Sequence, residues 1–78
     1  MEKYVYDNLK SKLEFWQALK YFEKDPGMIP FFNGEMCGAV HLACELCPSW
    51  ADNYCRLHDE ILEKRRTEEE WEELLYGK

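Results

Sequence analysis

All four cysteines of this 78-residue chain lie between positions 37 and 55, as Cys37, Cys44, Cys47 and Cys55. That clustering constrains the fold more than any other feature. A chain of this length sits near the lower limit at which apolar burial alone holds a domain, and domains near that limit recruit a metal, disulfides or a partner. There is room for one domain, spanning residues 1–78. Hydrophobic residues make up 46% of the chain and aromatic residues 15%, a supply of large anchors that disordered segments lack. The chain is expected to fold.

The apolar pattern is helical throughout. Leu13, Trp16, Leu19 and Phe22, with Leu9 just upstream, recur at helical spacing, and Ser11 with Glu14 forms a capping-box pattern that predicts a helix over 12–24. Residues 1–10 either extend that helix or lie across the surface as an arm. Asp25-Pro26-Gly27 is a stop. Pro30, Asn33 and Gly34 then predict an irregular loop whose Met28, Ile29, Phe31 and Phe32 fold back over the core. From Glu35 to Leu46 the pattern predicts a short helix, which Gly38 weakens by about 1 kcal/mol relative to Ala. On that helix Cys37, His41 and Cys44 fall at i, i+4 and i+7 along one face. Pro48 breaks the chain, and Ser49 with Asp52 resembles a second capping box, opening a helix that runs through roughly Arg65. Trp50, Tyr54, Leu57 and Ile61 form its stripe, with Cys55, His58 and Leu62 beside it. Thr67 with Glu70 supplies a third cap, and Trp71, Leu74 and Leu75 give a short last helix its apolar face. The expected architecture is all-α, three or four helices stapled at the centre by a four-cysteine site.

The cysteine spacing is C-x6-C-x2-C-x7-C. Zinc takes four N or S ligands in a tetrahedron, and a CxxC pair is a natural half-site because its thiolates converge with little chain distortion. Cys44 and Cys47 supply that half, and Cys37 and Cys55 complete it. Two alternative quartets serve the same chemistry: Cys44, Cys47, Cys55 and His58, or the original set with His41 in place of Cys37. Otherwise the histidines are neighbours of the site or ordinary surface residues. An iron-sulfur cluster is the second reading, since its ligands can all be Cys and Pro48 follows Cys47, although the CxxCxxC run of bacterial ferredoxins is missing. Disulfides are the third, most simply Cys37 to Cys55. Four thiols serving only as small buried apolar groups would not crowd into so short a segment.

Charge narrows the partner class. The formal net charge is −6, and the segment 27–55 holds no Lys or Arg. A nucleic-acid reader needs cations to neutralise phosphates, so DNA or RNA is not expected as a direct ligand. No run approaches the roughly 20 apolar residues of a membrane span, and the mixed, charged start MEKYVYDNLK does not read as a secretory signal. A cytoplasmic location follows as an expectation, and reduced thiols there favour a metal over disulfides. No catalytic set emerges: Cys55 with His58 lacks the orienting third group that nucleophilic catalysis requires. The acidic run EEEWEELL reads first as a solvated helix face. Its functional reading is a surface that docks on a basic partner, with Trp71, Glu69 and Glu72 as candidate contacts.

The segment CELCPSWADNYC followed by RTEEEWEELL resembles small cysteine-containing proteins encoded by bacteriophages and prophages. The likeness touches Cys44, Cys47, Pro48, Cys55 and Trp71 and has no counterpart for Cys37 or the N-terminal helix. It implies an accessory or host-modulating role, in the host cytoplasm. Together these readings predict a zinc-stabilised protein-interaction module. An iron-sulfur redox or sensing protein is the alternative, followed by a disulfide-stapled or thiol-redox protein.

Overall fold

The structure, a computed structural model, describes residues 1–77. Among them are four α-helices and no strand: α1 (Glu2–Phe22), α2 (Ile29–Leu46), α3 (Ala51–Glu63) and α4 (Glu68–Tyr76). Single 3-10 turns, Pro26–Met28 and Pro48–Trp50, join the first three helices. The fold is therefore all-α, as the periodicity predicts.

Helix α1 starts at Glu2, so residues 1–10 extend it and Ser11 lies mid-helix instead of capping it. No Gly or Pro interrupts that stretch, and Val5 and Tyr6 pack against the core, which gives the first turns tertiary support. The helix ends ahead of Pro26, where the Asp25 carboxylate accepts from the Gly27 N–H at 2.9 Å and caps the 3-10 turn. The stop falls where the sequence places it.

Helix α2 departs from expectation by beginning at Ile29, so most of the predicted loop is helix. Pro30 sits in the first turn, where its missing N–H has no partner to lose and its fixed φ suits the helix. Phe32 thereby points into the core and Phe31 away from it, half-exposed. The helix ends at Cys47, because a residue before proline is pushed out of the αR region. Cys47 stands at φ −135° and ψ 75°.

Ser49 does not cap α3, whose first turn continues from the 3-10 turn with Trp50 at the N-cap and no side-chain hydrogen bond there. The third cap is present. Thr67 Oγ1 accepts from the Glu70 N–H at 3.2 Å, and Glu70 Oε1 accepts from the Thr67 N–H at 2.9 Å. Those bonds hold the Glu70 carboxyl below its ordinary pKa, so their contribution is present at neutral pH and fades as acid protonates it. Gly77 closes α4 at φ 70°, a left-handed conformation that glycine adopts freely.

The core is built from α1, α2 and α3, with Leu13, Met36 and Tyr54 fully enclosed at its centre. The Tyr54 hydroxyl donates to the Glu2 carbonyl at 3.0 Å and ties α3 to the start of α1. Helix α4 joins through Trp71, whose ring stacks on Tyr21 at 5.2 Å and lies under the Arg66 guanidinium at 5.6 Å. Arg66 Nη2 also donates to Glu14 Oε2 of α1 at 2.8 Å. Trp71 is only 5% exposed, so of its two sequence readings it fills the first, the apolar face of the last helix, and is not available as a partner contact. Glu69 and Glu72 are exposed. Replacing Arg66 by Ala removes a half-enclosed ion pair and the cation above Trp71, and is expected to cost about 2 kcal/mol in urea unfolding.

Candidate functional site

Two places carry chemistry that packing alone does not absorb. The first is the corner where α2 turns through Pro48–Trp50 into α3. Cys44 sits on the flank of α2 that faces α3: its thiol lies 3.9 Å from the Ala51 carbonyl, and the Cys55 thiol is close enough to act on its ionisation. Cys47 is buried in the core cluster that holds Tyr54. Cys55 is exposed on α3. Three of the four cysteines therefore belong to this corner, though their side chains do not converge on one point.

Cys37 does not join them. It is exposed on α2, in an uninterrupted helix with Cys44, and seven residues at 1.5 Å each put the two about 10 Å apart along the axis. Four sulfurs around one zinc lie within about 4 Å of each other. Helical continuity thus keeps Cys37 and Cys44 from sharing an ion. His41 is exposed on α2, and His58 is half-buried one turn beyond Cys55. Among the described residues no three His, Cys, Asp or Glu side chains stand together in ligating positions, and all four cysteines are free thiols.

The local electrostatics follow from burial. Desolvation raises the pKa of Cys44, with the neighbouring Cys55 and Asp52 adding to it, so its thiol is held protonated. Tyr54 is pushed up to about 12, first by burial and then by the Cys47 thiol and the nearby Glu2 charge. His58 is lowered by burial, a shift that Asp59 opposes and Lys20 reinforces, which keeps its imidazole neutral with a free lone pair.

The second place is an apolar groove of about 250 Å³ between α1 and α2, lined by Tyr4, Val5, Leu9, Ala39, Leu42 and Leu46, among others. It runs into a second hollow of about 360 Å³ lined by Lys12, Trp16, Gly34, Glu35 and Gly38; Lys12, Ala39 and Leu42 border both. Leu42 is 57% exposed, Leu46 58% and Tyr4 70%. Sequence reasoning misses this face. Its signal is the exposed stripe Gly34, Gly38, Leu42 and Leu46, one residue per helical turn, on the far side of α2 from buried Met36 and Val40.

The chain matches no protein-family model, no curated protein and no solved structure.

The corner's titration is measurable. Tyr54 has a raised pKa, so the stability it supplies is intact below about pH 10 and is lost as pH rises towards about 12. Ultraviolet phenolate titration is expected to show one tyrosine ionising last, together with loss of helical circular dichroism, and Tyr54→Phe to abolish that coupling. Alkylation followed by mass spectrometry should find Cys44 modified more slowly at neutral pH than an unhindered thiol.

Proposed function

We propose that this chain is a small helical protein-interaction module whose docking face is the α1–α2 groove. The observation that carries the reading is the composition of α2: apart from Glu35, His41 and Glu45 it bears no ionisable group but its two cysteines, yet the fold covers only one of its sides. Its exposed side still carries Leu42 and Leu46 beside those few polar groups, and a contiguous exposed apolar patch marks an interaction surface. Leu42, Leu46 and Tyr4 supply the large contacts, and an accessory role in the cytoplasm agrees with the likeness to phage and prophage proteins. Because these residues stand outside the core, Leu42→Glu and Leu46→Glu are expected to keep wild-type helicity and melting temperature while abolishing a complex isolated by pull-down. Retention of that complex in both variants would sink the reading.

Zinc at the cysteine corner is the second part of the proposal. The ligand set we favour is Cys44, Cys47, Cys55 and His58: the nearness of Cys55 to Cys44 supports it, and the neutral imidazole of His58 is in the form a metal requires. Cys47 must turn out of the core to take part, so the donors would be arranged by the ion and not ahead of it. Binding would lock the turn between α2 and α3 and convert metal affinity into stability. Elemental analysis of anaerobically purified protein is expected to give one zinc per chain, kept in Cys37→Ser and lost in Cys44→Ser and Cys55→Ser. Metal-free protein that stays metal-free on adding zinc would remove this part of the proposal, and a brown preparation would replace it with a cluster.

A further inference from the structure

The contents of the groove indicate its occupant. Gly34 and Gly38 lie one turn apart on the outer face of α2, and a Cβ built at either meets no atom within 4 Å. Neither glycine is needed for the chain's own packing, yet each costs the helix about 1 kcal/mol relative to Ala. Missing side chains at that spacing let another backbone approach closely. The groove also holds two opposite charges, Lys12 on the α1 side and Glu35 on the α2 side. Among the described residues neither makes a hydrogen bond or ion pair, the only ion pairs being those of the N-terminal amine with Glu2 and of Arg66 with Glu14.

A face with one cation, one anion and an apolar floor is complementary to itself. In a chain of net charge −6 it is also a neutral region where two copies can meet without repulsion at the contact. We infer that the groove is filled by a second copy of this chain, related by a two-fold axis near Gly38, with α2 crossing α2 at the glycines and Lys12 of each protomer opposite Glu35 of the partner subunit. Two-fold pairing uses each charge twice, once in each direction, as an isologous interface requires. It also covers Leu42, Leu46 and Tyr4, and supplies by association the burial that so short a chain lacks. This inference rests on the groove being a protein-docking face, and it names the partner.

Sedimentation equilibrium of the full chain over a hundredfold range of concentration tests it. The expected result is a monomer–dimer equilibrium that Lys12→Glu and Glu35→Lys each weaken about tenfold or more, since each replaces two attractions with two repulsions. Mixing those two variants is expected to restore a heterodimer, and the double variant in one chain to restore the homodimer. Gly38→Leu is expected to block the dimer while raising the melting temperature of the monomer, because the new side chain meets open space and favours the helix. Dimers that ignore all of these changes would place the contact elsewhere and overturn the inference. A chain that stays monomeric throughout would overturn it too; if Leu42→Glu still abolishes a complex with a different protein, the docking face survives and only the second copy is lost.

Discussion

The fold closes at the Tyr54 hydroxyl. It is the polar tip of a fully enclosed ring, and it reaches the Glu2 carbonyl at the start of the chain, so one bond of 3.0 Å fixes α3 against α1 across most of the sequence. A carbonyl in the first turn of a helix already accepts a bond along the helix, and its second lone pair is free for this one. Around the tyrosine ring, Tyr6 and Trp50 pack at 6.5 and 6.3 Å, and Cys47 belongs to the same buried cluster. The core and the cysteine corner are therefore one structure: whatever moves Cys47 disturbs the group that locks α1.

This joint placement changes what the cysteines mean. A domain of this size is expected to need a staple through its centre, yet Leu13, Met36 and Tyr54 are wholly buried among side chains from three helices, with all four thiols free. Ordinary packing makes that centre. Cys47 belongs to that centre and Cys44 packs against it, so a ligand at the α2–α3 turn would act on the core directly. The apolar surface left over lies on the other flank of α2, so the two candidate sites share a helix and face apart.

Much of this is legible in the residues. The stop at Asp25-Pro26-Gly27, the break at Pro48 and the Thr67–Glu70 cap each rest on local chemistry that neighbours do not override, and each appears where predicted. The start of α2 is not legible, because Pro30, Asn33 and Gly34 read as loop formers until Pro30 is known to occupy a first turn. Ser11 and Ser49 illustrate the weakness of a capping pattern on its own: the one lies inside a helix that tertiary packing extends, the other inside a 3-10 turn. The separation of Cys37 from Cys44 can be read directly, since i and i+7 on one helix are too far apart for a common ion. The groove cannot, because an exposed apolar stripe is recognisable only once the buried one is assigned.

Helix α4 packs almost wholly against α1, through Trp71 and the Arg66–Glu14 pair, and contributes nothing to the central cluster. Its attachment rests on contacts distinct from those of the three-helix body, so any local opening of the last helix would leave that body's own contacts in place. Such an opening would break the stack of the Trp71 indole on Tyr21 and bare the indole to water, so the chain carries its own optical reporter of the event.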